Sequence, residues 1–154
     1  MTAAAKNPPQ ANSDTQTAVT RRLGELLDQQ RERLKGYLAV LERQQAAIES
    51  GSKDAILAYV EFEEALVAEI LSIQKVIDPL KAMHHATGVI SALRAELEDL
   101  KNQAAVQSRR NSDLLSVRMA DLRREINVLR NNQFVIGRRR SLYRDTASFI
   151  DIKG

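Results

Sequence analysis

Apolar residues recur at helical spacing in the middle of the chain, over residues 53–77. They follow one another at steps of three, four and seven: Ile56, Tyr59, Leu66, Ile70, Ile73 and Ile77. This spacing predicts an amphipathic helix. Val60, Val67 and Leu71 widen the apolar face beyond the seam of a two-stranded coiled coil, so we expect this helix to contact more than one neighbour. Glu63 interrupts the face, and we expect it at the rim in water, the alternative being a pair with an arginine.

A second amphipathic helix precedes this one and forms a hairpin with it. Its apolar face carries Val19, Leu23, Leu26, Leu27, Leu34, Leu38, Leu41 and Ile48. Thr15 or Thr17 is a candidate N-cap. Gly51 suits the left-handed conformation that ends a helix, and Ser52 suits the N-cap of the next. We therefore predict an antiparallel hairpin with a very short loop, whose second helix ends before Pro79.

A third apolar series starts at Val89 and weakens over residues 101–113, where Gln107 and Asn111 occupy the seam. We expect a bend, a frayed region or an open surface there. The helical spacing then resumes with Leu115, Met119, Leu122, Ile126 and Leu129. This face either packs against the first helix or receives a partner helix.

Together these patterns predict an all-α protein, an antiparallel helical hairpin plus a long third helix in an elongated three-helix bundle. The helices are expected at about residues 15–49, 52–77 and 89–131. Residues 1–14 are small and polar, and we expect them to be disordered, with residues 132–154 as a flexible tail. Composition agrees, because aromatic residues make up only 4% of the chain and no alternating β-branched run is present.

The C-terminal third is the basic part of the chain. Residues 1–100 carry 11 basic and 15 acidic groups, net −4, whereas residues 101–154 carry 12 basic and 5 acidic groups, net +7. Arg138, Arg139 and Arg140 favour an acidic protein, an anionic lipid or a phosphate backbone without choosing among them. The interleaved aromatic residues of a nucleic-acid surface are missing, so we expect no nucleic-acid partner.

The sequence offers no recognisable catalytic set, and we expect neither enzyme activity nor a cofactor. It contains no glycine-rich phosphate loop and no Ser-His-Asp candidates. The absence of cysteine removes thiolate chemistry and fits a cytoplasmic location. Adjacent helical residues point about 100° apart, so His84 and His85 suit one metal ion poorly, and we expect no metal site. Neither a secretory signal nor an apolar run of membrane-spanning length is apparent.

Short apolar clusters stand out in the polar C-terminal segment, Leu142 with Tyr143 and Phe149 with Ile150. Such clusters suit docking on a partner or back on the bundle. Together with the apolar face of the third helix, they make up the predicted partner-binding residues: Leu115, Met119, Leu122, Ile126, Leu129, Leu142, Tyr143, Phe149 and Ile150.

A chain of two helices joined by a short turn, followed by a longer third helix and this ending, resembles the FlgN family of flagellar export chaperones. The ending is the more specific part of the resemblance. In it a basic stretch leads through Ser141, Leu142 and Tyr143 to Phe149, Ile150, Asp151, Ile152 and Gly154. Over the rest of the chain the resemblance is one of architecture.

The resemblance implies a small cytoplasmic chaperone that holds hook-filament junction proteins of the FlgK and FlgL type. It implies that the chaperone prevents their premature self-association and delivers them to the flagellar type III secretion apparatus. The cargo's terminal helical segment would be covered by the second half of the third helix and the tail. The residue pattern alone also allows a structural homo-oligomeric coiled coil, or an adaptor that uses its arginines on anionic surfaces. We expect a monomer or a weak homodimer, without stable membrane insertion.

Overall fold

The structure is a computed structural model that describes residues 10–84 and 87–151, with side chains described for 12–84 and 87–138. This part of the chain forms three helices: α1 Gln10–Ser50, α2 Lys53–Met83 and α3 Gly88–Asp151. It contains no strand, so the predicted all-α class is confirmed. None of its helices combines the length and the apolar character that crossing a membrane would need.

The turn between α1 and α2 forms as the sequence predicts. Gly51 has a φ of 72° and donates its N–H to the carbonyl of Ile48 at 3.1 Å, while Ser52 donates to the carbonyl of Ala47 at 3.2 Å. These two bonds make up the Schellman motif, which satisfies carbonyls at the end of a helix. Ser52 is the N-cap residue of α2, although its side chain makes no capping hydrogen bond.

The predicted start of the first helix was wrong, because α1 already begins at Gln10. Thr17 does not cap it; its hydroxyl donates to the carbonyl of Ser13 at 2.9 Å, one turn back inside the helix. Residues 10–14, predicted to be disordered, are therefore helical, and residues 1–9 of that segment lie outside the described part. Extending an existing helix adds about one hydrogen bond per residue fixed, whereas only nucleation is costly.

The predicted end of the second helix was also wrong. α2 contains Pro79 and ends at Met83, and the backbone N–H of the C-cap residue His84 bonds to the carbonyl of Lys81. A proline inside a helix costs about 3 kcal/mol, mainly through a lost hydrogen bond and a steric clash. The final turn persists because Leu80, directly after the proline, packs on the apolar core and offsets part of that cost.

The third helix extends well beyond Asn131, where the sequence indicates its end. Its last residue is Asp151, so residues 132–151, predicted as a flexible tail, are helical, and residues 152–154 lie outside the described part. Asn131 and Asn132 are weak helix breakers that cost only about 0.5–0.7 kcal/mol each relative to Ala, and Gly137 costs about 1 kcal/mol. Gln133 and the three arginines that follow Gly137 are good helix formers.

The apolar core is built by all three helices. It consists of Leu23, Leu26, Leu27 and Leu34 from α1, Ile77 from α2, and Ile90 and Leu97 from α3. Gly24 brings α1 close to α3, since a Cβ there would lie 3.7 Å from Cδ1 of Ile90. Each buried Leu or Ile contributes about 1.5–3 kcal/mol through removal of apolar surface from water.

Cross-helix hydrogen bonds define the helix directions within this core. Gln30 of α1 donates to Oε1 of Gln74 in α2 at 2.7 Å, and Arg33, further along α1, pairs with the earlier Glu69 of α2 at 2.7 Å. α1 and α2 are therefore antiparallel. Contacts from α1 to the first part of α3 advance in the same direction, from Arg31 with Glu96 to Gln45 with Gln107.

Polar side chains form a layer in the bundle near the turn, which we call the polar layer: Tyr37, Gln44, Glu63, Gln107 and Asn111. Glu63 accepts hydrogen bonds from the Tyr37 hydroxyl at 3.1 Å and from Nε2 of Gln44 at 3.2 Å. Nδ2 of Asn111 donates to the Leu41 carbonyl at 2.8 Å and to Oε1 of Gln44 at 2.9 Å. Nε2 of Gln107 donates to Oδ1 of Asn111 at 2.9 Å. Glu63 is thus half-buried, which is compatible with the predicted rim position, and neutral donors bind its carboxylate. Within the described side chains no arginine pairs with it.

The chain divides into two compact units, Met1–Ser112 and Asp113–Gly154. The first contains α1, α2 and the beginning of α3, and the second contains the remainder of α3. Among the described side chains, every buried one lies between Leu23 and Asn111, inside the first unit. The weak seam at Gln107 and Asn111 is therefore still part of the packed bundle, held by polar contacts in place of apolar ones.

Candidate partner-binding site

The second unit exposes a continuous series of large apolar side chains. We call it the α3 stripe: Leu115, Met119, Leu122, Ile126 and Leu129. Their exposed fractions rise from 37% at Leu115 to 61% at Leu129. Steps of four, three, four and three place all five on one face of α3, at positions a and d of a heptad. Residues at a and d commonly insert between side chains of a neighbouring helix, so the face has the form of one half of a helix pair.

Charged residues border the α3 stripe, and their arrangement limits what the stripe accepts. Arg123 and Arg130 follow the d residues on one edge, at heptad position e, whereas Arg118 and Glu125 stand on the other edge, at position g. Within the described side chains, no salt bridge involves any of these four residues. The edges of the stripe are therefore mainly basic and available to an acidic neighbour.

Further apolar side chains that the sequence analysis did not single out are exposed in the same unit. Val117, Val128 and Val135 are exposed and stand away from the stripe on the helix surface, and Phe134 is exposed as well. The guanidinium carbon of Arg138 lies 5.6 Å from the Phe134 ring centroid, in cation–π range. The signal for the valines is their spacing of eleven and seven, which returns to one face of a helix.

The predicted site residues in the C-terminal segment lie in α3 but beyond the described side chains. Leu142, Tyr143, Phe149 and Ile150 belong to its last turns by backbone conformation. Arg139 and Arg140 also lie in α3 beyond the described side chains, whereas the side chain of Arg138 is described and exposed. The structure therefore brings together the five residues of the α3 stripe and leaves the contribution of the other four as a prediction.

A second, partly exposed stripe lies on α2, in the first unit. We call it the α2 stripe: Leu57, Val60, Glu64, Val67 and Leu71. Leu57 and Leu71 are 58% and 57% exposed, and Val60 and Val67 are half-buried. The sequence pattern predicts a further neighbour for Val60, Val67 and Leu71, whereas it gives no such indication for Leu57. Asp54 and Glu61 are exposed along one edge of this stripe, and no salt bridge engages them within the described part of the chain.

An open groove lies between α1 and α2. Its lining consists of Asp28, Gln29, Glu32, Arg33, Ala68, Glu69, Ser72 and Ile73. Nε of Arg33 pairs with Oε2 of Glu69 at 2.7 Å, and Asp28 and Glu32 both pair with Arg31. The four charged side chains that line the groove therefore already have partners. Among the described residues, no cluster of three or more His, Cys, Asp or Glu side chains is placed to hold a metal ion. His85 lies outside the described residues, so this statement does not cover it.

Comparison with known proteins supplies a relative but no named family. No protein-family model matches the chain, and no solved structure matches it. An uncharacterized protein of Treponema pallidum (strain Nichols) is 36% identical over 117 residues, which cover 73% of this chain and 76% of the treponemal protein. This alignment spans most of both chains. The chain belongs to the same family as the treponemal protein.

Proposed function

We propose that this protein is a cytoplasmic export chaperone of the FlgN type. Its α3 stripe covers an apolar helical segment of a hook-filament junction protein of the FlgK or FlgL type, prevents premature self-association of that segment, and accompanies it to the flagellar type III export apparatus. The observation that carries the proposal is the exposure of five a and d residues, from Leu115 to Leu129, on a helix outside the packed core.

A helix face of this kind is sufficient for a chaperone that does no chemistry. It covers the partner's apolar residues and thereby removes them from the equilibrium of self-assembly. Full burial of a Leu, Ile or Met side chain contributes about 1.5–3 kcal/mol, so burying the exposed half of one contributes about 1 kcal/mol. Five such side chains contribute about 5 kcal/mol, which is comparable to the lower estimates of the cost of association and favours reversible binding and release.

The bordering charges argue against the alternative of a homo-oligomeric coiled coil built on this stripe. In an antiparallel pair of α3 stripes e residues oppose e residues, so one register sets Arg123 against Arg123 of the other copy, and the register one heptad away sets Arg130 against Arg109. In a parallel pair, Arg118 at position g would face Arg123 of the other copy. The next contact of that pair, Glu125 with Arg130, joins opposite charges and offsets this repulsion. Like charges at these positions are destabilising. A partner helix with acidic residues beside its apolar seam fits the stripe better.

Calorimetric titration of the purified full chain with purified FlgK-type and FlgL-type junction proteins tests the proposal. We expect binding to at least one of them. The Leu122→Asp, Ile126→Asp double variant should weaken that binding at least about a hundredfold, because two apolar anchors are replaced by charges. The matched control is Val117→Asp, Val128→Asp, in which two exposed valines away from the stripe are replaced by the same residue. It should bind like the unchanged protein.

The tail is tested separately with a chain that ends at Asn131. Loss of binding in this variant, with binding retained in the stripe variant, would move the cargo surface to Leu142, Tyr143, Phe149 and Ile150. Absence of binding by the unchanged protein to both junction proteins would overturn the proposal. Circular dichroism of each variant verifies that helicity is retained.

A further inference from the structure

The α2 stripe and the α3 stripe match each other in length and in spacing. Each extends over two heptads, from Leu57 to Leu71 and from Leu115 to Leu129. The α2 stripe advances by three, four, three and four residues, and the α3 stripe advances by four, three, four and three. Read from its C-terminal end, the α3 stripe therefore has the same spacing as the α2 stripe.

This correspondence defines one antiparallel register in which all five positions meet. An antiparallel helix pair places an a residue of one helix beside a d residue of the other. The five layers are Leu57 with Leu129, Val60 with Ile126, Glu64 with Leu122, Val67 with Met119, and Leu71 with Leu115. Four layers are wholly apolar. Glu64 is the exception, and its exposed position leaves its carboxylate room to reach the water at the edge of the pair.

The bordering charges are complementary in the same register. In an antiparallel pair the e residues of the two helices face each other. Asp54 then stands opposite Arg130, and Glu61 stands opposite Arg123. All four side chains are exposed, and none of them has a salt-bridge partner within the described part of the chain. On the other edge Glu125 falls opposite Glu63, whose carboxylate is already hydrogen-bonded to Tyr37 and Gln44 inside the bundle.

We propose that the α3 stripe of one copy docks antiparallel on the α2 stripe of a second copy of this chain. The contact pairs an acidic-edged apolar stripe with a basic-edged one, whereas an antiparallel pairing of two α3 stripes sets arginine against arginine. Each interface of this kind is heterologous, because it joins the α3 stripe of one copy to the α2 stripe of the next. The assembly would cover the α3 stripe in the absence of any other partner. This inference does not depend on the proposed chaperone function, since its tests use the protein alone.

The register is tested by disulfide trapping, for which the chain is suited because it contains no cysteine. A Leu57→Cys variant carrying an affinity tag is mixed with an untagged Leu129→Cys variant and oxidised under mild conditions. A disulfide requires Cβ atoms about 3.5–4.5 Å apart. We expect a linked species containing one tagged and one untagged chain, separable by mass on a non-reducing gel.

The matched control mixes the Leu57→Cys variant with a Leu115→Cys variant, which the antiparallel register places at opposite ends of the pair. The linked mixed species should then form at least about tenfold more slowly, because random collisions alone produce it. Equal rates in the two mixtures would overturn the antiparallel register. A faster reaction with Leu115→Cys would also overturn the antiparallel register and would indicate a parallel register.

The charge pairing is tested by sedimentation of the full chain over a range of concentrations. Glu61→Arg should raise the dissociation constant of the dimer about tenfold or more, and adding Arg123→Glu to the same chain should restore most of the loss. A dimer that ignores Glu61→Arg but is lost in Leu122→Asp would assign the contact to two α3 stripes and overturn the proposal. A protein that stays monomeric at every concentration would overturn it as well.

Discussion

The hydroxyl of Tyr37 in α1 donates a hydrogen bond to Oε1 of Glu63 in α2 at 3.1 Å, across 26 residues of chain. Gln44 donates to the other carboxylate oxygen at 3.2 Å. A carboxylate in a half-buried position is costly unless donors satisfy it. This pair therefore explains how an acidic residue occupies a core position of α2, and it fixes where the two helices meet near their turn.

Removal of the Tyr37 hydroxyl should lower the stability of the bundle without creating a cavity. Tyr37→Phe keeps the ring and its packing but leaves Oε1 of Glu63 without its donor. We expect the free energy of unfolding to fall by about 1 kcal/mol, as is typical of a partly exposed hydrogen bond. Urea denaturation followed by circular dichroism measures this change. Tyr59→Phe is the control and should differ from the unchanged protein by less than about 0.5 kcal/mol.

The same tyrosine makes stability sensitive to alkaline pH. Burial raises the pKa of Tyr37 above its usual value, and the nearby negative charge of Glu63 raises this pKa further. The unfolded chain then loses the phenolic proton at lower pH than the folded chain does. The stability from this group is fully present below the unfolded pKa of about 10 and is lost as pH rises toward the folded pKa.

Urea denaturation at a series of pH values from 8 upward, to about 11, should therefore show a steeper decline in the unchanged protein than in Tyr37→Phe. The two curves should run parallel below about pH 9, where the tyrosine is neutral in both states. Parallel curves over the whole range would contradict the assigned environment of Tyr37.

Asn111 should be among the most sensitive polar positions of the chain. It is only 4% exposed, donates to the Leu41 carbonyl and to Gln44, and accepts from Gln107. Asn111→Ala deletes these bonds and leaves the amide groups of Gln44 and Gln107 short of a partner, for an expected loss of about 2–3 kcal/mol. Thermal unfolding of the variant measures this loss of stability. Asn102→Ala, on the exposed face of the same helix, should be nearly neutral.

Two glycines should respond to alanine in opposite directions. At Gly24 a new Cβ would be in ordinary contact distance of Ile90, 3.7 Å away, so Gly24→Ala should stabilise the helix by about 0.5–1 kcal/mol. Gly51 has a φ of 72°, where L residues are strained, and Gly51→Ala should cost about 1–2 kcal/mol. Chemical denaturation of both variants side by side provides the comparison, and a stabilised Gly51→Ala would contradict the turn geometry.

The hairpin was predictable from the sequence because its determinants are local. Gly51 alone specifies the left-handed helix end, and the spacing of residues such as Leu23 and Ile77 identifies the buried faces. The helix ends at Pro79 and Asn131 were not predictable in the same way. In each case a modest local penalty competes with packing or with further helical hydrogen bonds, and the local pattern does not show which of the two is larger.

The candidate site, too, was only partly predictable from the sequence. The apolar face from Leu115 to Leu129 is readable from its heptad spacing, but the spacing is the same whether the face is buried or open. Its exposure follows from where the packed core ends, which depends on all three helices. Glu63 illustrates the converse, since its partners Tyr37 and Gln44 stand on another helix and only the fold brings them to it.

The confinement of the buried core to residues 23–111 has an evolutionary consequence. Mutations in the α3 stripe remove no buried contact of the bundle, so they carry little penalty in folding. The distal part of α3 can therefore drift in sequence while the bundle stays folded. Under the proposed function, a lineage could exchange one partner for another through intermediates that all remain folded.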